Sequence, residues 1–126
     1  MPFEFRLSSG AFGLPAAAMS VDWLVLNDTG TDQQIRVTVF AAPVGSPKHQ
    51  LPPGPIEVAV PARTLTHNAN SVGPGQPFEP GIPVEVVVQC NDLRVLPTVE
   101  VWQDNGGTVI AGTRIGPGDF VRLVGP

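Results

Sequence analysis

Side chains that carry chemistry are scarce in this chain. Across 126 residues there are two histidines, one cysteine and no tyrosine, and charged residues make up only 14%. General acid–base, nucleophilic and metal catalysis draw on those groups, so the composition turns the reading away from an enzyme. A single cysteine, Cys90, leaves no intramolecular disulfide. Seven Lys and Arg stand against eleven Asp and Glu, a formal net charge of −4, with no run of either sign. Nothing there would displace counterions from DNA or RNA, and no nucleic-acid partner is expected. No stretch approaches the roughly 18 apolar residues of a membrane span. The first residues carry Glu4 where the basic region of a leader would lie. The expectation is a cytoplasmic protein that is not membrane-inserted.

What the chain does have is β-forming runs punctuated by 14 glycines and 15 prolines, with 42% hydrophobic residues, enough for a core. A chain of this length is expected to be one domain, 1–126, with residues 1–20 as a partly ordered N-terminal arm. Phe3, Phe5 and Leu7 alternate with Glu4 and Arg6 as a first strand. Val21 to Asn27 reads as a strand with Val21, Trp23 and Val25 on one face and Leu24 and Leu26 on the other. Asn27 to Asp32 reads as a hairpin loop. Gln33 to Ala42 puts Ile35, Val37, Val39 and Ala41 on one side and Gln34, Arg36, Thr38 and Phe40 on the other. Such one-sided patterning suits an antiparallel sheet solvated on its far face.

The stretch from Pro43 to Pro55 holds five prolines and reads as a connecting arm. Alternation resumes in Ile56 to Val60, in Arg63 to Asn68 and in Val84 to Cys90. Pro97 to Gln103 follows, with Thr98, Glu100 and Trp102 opposite Val99, Val101 and Gln103. Asp104 to Gly107 is the strongest hairpin signal, and Val109 to Ile115 and Phe120 to Val124 read as closing strands. Eight to nine short strands with Pro/Gly-rich loops define an all-β fold, a small antiparallel β-sandwich.

No catalytic constellation emerges, and neither a metal nor a cofactor is expected. Asn27, Asp28 and Asp32 lack the spacing of a calcium loop and are explained as turn residues. The two histidines, His49 and His67, form no metal-ligand spacing. Cys90 ends a valine stripe and reads as a buried, inert thiol. Trp102 and Phe40 fall on the polar sides of their strands, where a large aromatic marks a subunit interface or a binding platform. The low charge points the same way, because few groups solvate or repel the surface, and a homo-oligomer is expected.

The middle of the chain resembles the soluble sensory rhodopsin transducer family. The resemblance rests on Trp23-Leu24-Val25-Leu26-Asn27, an Asx/Gly turn, Ile35 to Phe40, a Gly/Pro arm, Val58-Ala59-Val60-Pro61-Ala62-Arg63, and then Thr66-His67. Ile82 to Gln89 continues it, so that it spans about residues 21–90. The N-terminal segment, the DNGG turn and the C-terminal strand depart from the family pattern. The resemblance implies a β-sandwich that assembles as a cytoplasmic homo-oligomer such as a tetramer. It further implies action by binding a protein partner or small ligand, with Arg63, Thr64 and His67 as the positions that carry over. The plainer reading of Arg63 is a strand-end arginine paired with an acid such as Glu85 or Asp92. The expected function is a non-enzymatic binding or adaptor protein. A structural assembly subunit and a carbohydrate- or small-ligand-binding module are the alternatives.

Overall fold

The computed structural model describes residues 3–103, 108–110 and 112–124. The turn expected at 104–107 lies outside them. Among the described residues nine strands follow in chain order: β1 Phe5–Ser8, β2 Ser20–Asn27, β3 Gln33–Ala41, β4 His49–Gln50, β5 Ile56–Val60, β6 Leu65–Ser71, β7 Val84–Cys90, β8 Val95–Trp102 and β9 Val121–Arg122. They form two antiparallel sheets. The larger runs β4-β3-β7-β1-β9, with β5 also paired to β3, and the smaller runs β6-β2-β8. The fold is the expected all-β sandwich. Its described helical content is one 3-10 turn, Pro117–Asp119. No helix among the described residues is long and apolar enough to cross a membrane.

The core lies between the sheets and follows the period-two pattern. Ile35, Val37, Val39 and Ala41 from β3 and Val84, Val86, Val88 and Cys90 from β7 face Val21, Trp23 and Val25 from β2 and Val95, Val99 and Val101 from β8. Burying one such valine or isoleucine side chain is worth about 1.5–3 kcal/mol, so these stripes supply most of the drive to fold. Leu14 and Ala18, from the segment between β1 and β2, close the same core. Pro97 sits in β8 without damage because β8 is an edge strand of its sheet.

Several local expectations change. The loop after Asn27 is not a hairpin, because β2 and β3 belong to different sheets and the chain crosses the sandwich there. Asn27 is fully buried and makes that crossing. Its Nδ2 donates to the carbonyls of Thr31, Val60 and Pro61 at 2.8, 2.9 and 3.1 Å, and its Oδ1 accepts from the Thr29 amide and hydroxyl at 3.0 and 2.7 Å. A turn residue by sequence is thus a tie between both sheets. The stretch expected as a strand at 109–115 contributes two isolated bridges, Trp102 to Val109 and Val99 to Ile115. The proline arm folds back on β3, pairing Phe40 with Gln50 and Ala41 with His49, and buries Leu51.

Candidate functional site

Because successive side chains of a strand point to opposite faces, register alone lays out what each sheet shows to solvent. On the outside of the larger sheet, one cross-strand row reads Glu57, Arg36, Gln89, Arg6. The next brings Thr38 against Val87 and Val87 against Ser8. The third sets Gln50 beside Phe40 and Phe40 beside Glu85. The arm closes over one side of this grid and Leu123 over the other, where the Leu123 amide donates to the Arg6 carbonyl at 2.8 Å. The result is a groove of about 470 Å³ floored by Thr38, Val87 and Gln89.

Its electrostatics are uneven. Arg36 gives Nε and Nη2 to Glu57 Oε1 at 3.2 and 2.8 Å. Lys48 Nζ lies 2.7 Å from Glu85 Oε1 and 4.6 Å from the centroid of the Phe40 ring. Glu85 is nearly buried and also accepts from the Ser8 hydroxyl. Burial alone would raise its carboxyl. The hydrogen bonds from Lys48 and Ser8, with the charges of Lys48 and Arg6, outweigh that and hold it below its ordinary value. Arg6 has no ion pair among the described residues. The Gln89 side-chain amide and the Thr38 hydroxyl likewise have no hydrogen-bond partner there.

The outside of the smaller sheet is different. Its rows read Leu65, Leu26, Leu96; then His67, Leu24, Thr98; then Ala69, Asp22, Glu100; then Ser71, Ser20, Trp102. The four leucines line a depression of about 270 Å³ flanked by Arg114 and Pro117. Beside it Asp22 is buried, with Oδ2 3.5 Å from His67 Nδ1, and Glu100 lies 3.9 Å from Arg114. Burial pushes the Asp22 carboxyl up and the neighbouring Glu100 adds to that, while His67 and a hydrogen bond with Asn68 oppose it. Among the described residues, Asp22 Oδ1 and Trp102 Nε1 are both buried without a partner.

The residues singled out by sequence fall in three places. Arg63 and Thr64 belong to the crossover between β5 and β6. Arg63 adopts φ 57° there, and its Nη1 donates to the carbonyl and carboxylate oxygens of Asp28 at 2.9 and 3.0 Å. The Thr64 carbonyl accepts from the Asn27 amide, and its hydroxyl donates to the Ala62 carbonyl. His67 lies inside β6 with Asp22. Arg63 is bound to Asp28 and His67 sits beside Asp22, so the two serve different neighbours. Phe40 and Trp102 are both half-buried on outer faces, but of opposite sheets. Asp92 pairs with Arg94 rather than Arg63, and the side-chain and backbone bonds from Arg94 hold its carboxyl at about 2. Cys90 is fully buried, and burial pushes its thiol up. His49 stands exposed at the sheet edge in β4.

Arg6, Arg36, Gln89 and Val87, which make the groove, were not singled out by sequence. They lie up to 83 residues apart (Arg6 to Gln89) and meet only through the register of β1, β7 and β3. A period-two reading does put Arg6, Arg36 and Gln89 on outward faces. It does not say that those faces adjoin.

Fold and faces together define a two-sheet antiparallel β-sandwich with a polar groove outside one sheet and an apolar depression outside the other. No protein-family model matches the chain, and no curated protein matches its sequence. Among solved structures, the one titled Crystal Structure of Thermotoga maritima 1070 superposes with a TM-score of 0.54 at 12% identity, over 98% of this chain and 93% of that one. It shows a shared fold. The Anabaena sensory rhodopsin transducer is a weaker match, with a TM-score of 0.45 at 20% identity over 80% of this chain and 82% of that one. That structure comes from the family the sequence resembles, and no residue's role rests on it.

Proposed function

We propose that this protein is a homo-oligomeric binding or adaptor module of the cytoplasm that acts by binding rather than by catalysis. The observation that carries this reading is the outer face of the smaller sheet. A solvated sheet face is normally polar, yet here Leu24, Leu26, Leu65 and Leu96 form one apolar depression, with Leu65 54% exposed. Among the described residues, the same face leaves Asp22 Oδ1 and Trp102 Nε1 buried and unpartnered, a cost of about 1–3 kcal/mol for each such group. A second copy packed on this face would bury the leucines and leave the groove of the larger sheet open. That arrangement agrees with the low charge of the whole chain, and with assembly in the family the sequence resembles.

Light scattering coupled to size exclusion, at micromolar chain concentration, tests the reading. A discrete multiple of the 13.2 kDa chain mass is expected. The double substitution Leu24→Asp, Leu65→Lys should return a folded monomer with an unchanged circular dichroism spectrum. A wild-type mass of one chain, or an oligomer indifferent to the double substitution, would overturn it.

A further inference from the structure

We infer that the groove outside the larger sheet is a binding site for a small organic monocarboxylate, its carboxylate held between Arg6 and Arg36 and its uncharged body lying over Val87 toward Phe40. The inference concerns the face opposite the leucine depression and does not depend on whether copies assemble there.

The groove's charges decide the class of ligand. Arg6, Arg36 and Lys48 line it, while Glu57 and Glu85 are bound to the second and third of these. Glu57 and Glu85 neutralise their partners, and Glu85 stays ionised because its carboxyl is held low. One positive charge therefore remains unmatched, on Arg6. A single negative charge balances it, whereas a dianion would bring a second charge toward Glu57 or Glu85.

Hydrogen bonding narrows the class further. Among the described residues no acceptor takes any of the five Arg6 guanidinium donors, and Arg36 keeps Nη1 after Nε and Nη2 go to Glu57. The two arginines flank Gln89 in one cross-strand row, and neighbouring strands lie roughly 4.8 Å apart. Each guanidinium is a planar fork of donors, the shape that carboxylates take bidentately. The next row offers Val87, 5% exposed, with the unpartnered Thr38 hydroxyl beside it. Beyond it the Phe40 ring makes an apolar end wall, its face already occupied by Lys48. At about 470 Å³ the space suits a small molecule, since ligand pockets run from roughly 300 to 1,000 Å³.

Benzoate, phenylacetate, inorganic phosphate and the neutral benzamide are the probes, read by thermal shift and by isothermal calorimetry on the full chain in low salt. Benzoate or phenylacetate should raise Tm and bind saturably, with benzamide silent. Arg6→Gln should weaken that binding about tenfold or more while the unliganded protein stays folded, because Arg6 makes no side-chain hydrogen bond or ion pair among the described residues and reaches Glu85 through its charge alone. Thr38→Val, nearly the same size, provides a second variant, expected to weaken binding only a few-fold. If neither carboxylate binds, if benzamide binds equally well, or if Arg6→Gln binds as the wild type does, the inference is wrong. Binding of phosphate alone would overturn the monocarboxylate assignment. These readings are taken on whatever oligomer exists, so failure here leaves the assembly proposal standing, and the reverse also holds.

Discussion

The two outer faces of this sandwich are built on the same principle and reach opposite ends. Each displays alternate residues of antiparallel strands in cross-strand rows. On the larger sheet the rows mix arginine, glutamine, threonine and glutamate, and the arm and Leu123 wall them into a groove. On the smaller sheet the leucines fill one end, with Leu65, Leu26 and Leu96 in one row and Leu24 in the next, and the ionisable groups His67, Asp22 and Glu100 lie in the middle rows. The buried carboxylates state the contrast most clearly. Glu85 receives a lysine and a hydroxyl, and its carboxyl is held low. Asp22 receives one histidine at 3.5 Å and a neighbouring acid, and its carboxyl is held high. One face supplies partners for its own charge and has a cation to spare, while the other lacks partners for the charge it buries. A face of the first kind suits a charged ligand, and one of the second kind suits coverage by a further surface.

Anything that unties the sheets should erase this contrast, and Asn27 is where they are tied. Asn27→Ala removes three donated and two accepted hydrogen bonds at the β2–β3 crossing and leaves the Val60 carbonyl buried without that donor. A loss of about 2–4 kcal/mol is expected, seen as a Tm drop on the order of 10 °C. Asn27→Asp, although the same shape, should be no milder, since its carboxylate would face three carbonyl oxygens. A melt within 2–3 °C of wild type, about 1 kcal/mol or less, would show that the crossing is held by packing alone.

Asn27 also illustrates what a sequence can and cannot show here. Its place at the end of an apolar strand and before a turn is readable, and so are the inward faces of β2, β3, β7 and β8, because alternation is a local property. Which sheet receives the next strand is not local. A hairpin and a crossover can share the same Asx/Gly turn chemistry, and the difference lies in whether Val21, Trp23 and Val25 pack beside the β3 stripe or across from it. The groove was hidden for the same reason. Arg6 and Arg36 each read as an outward arginine, and only the pairing of both with Gln89 makes them neighbours. Arg63 and His67 show the converse. Closeness in sequence suggested one site, but the turn gives Arg63 to Asp28 and β6 gives His67 to Asp22.

The opposite perturbation of the two carboxylates yields a paired test of intermediate size. Glu85 has a lower pKa folded than unfolded, so its contribution is complete above its ordinary value of 4.5 and disappears as pH falls through the folded value. Asp22 has a higher pKa folded than unfolded. Its effect on stability declines as pH rises from 3.8 through the folded value, and the penalty persists at neutral pH. At pH 7, Glu85→Gln should therefore destabilise by about 1 kcal/mol, and Asp22→Asn should be neutral or stabilising. Urea midpoints of the two variants should move toward wild type as the pH falls, Asp22→Asn by pH 3.8 and Glu85→Gln only as the pH drops through the folded value of Glu85, below 4.5. Equal signs at pH 7 would remove the electrostatic contrast between the faces.

The smallest effect is expected at the crossover end, which belongs to neither face. Arg63 and Asp28 form a pair whose side chains are 64% and 54% exposed, and exposed pairs contribute roughly 0–1 kcal/mol. Arg63 also holds φ 57°, a left-handed conformation that disfavours a side chain and that glycine adopts freely. Arg63→Gly loses the pair but relieves the backbone, and Arg63→Ala loses the pair alone. The glycine variant should thus be at least as stable as the alanine variant, both within about 1 kcal/mol of wild type, with carboxylate binding and solution mass unchanged. If Arg63→Ala abolished binding of the carboxylate probes while the protein stayed folded, the ligand would belong to the crossover end. The division of roles between the two faces would then have to be redrawn around Arg63, as the sequence resemblance implied.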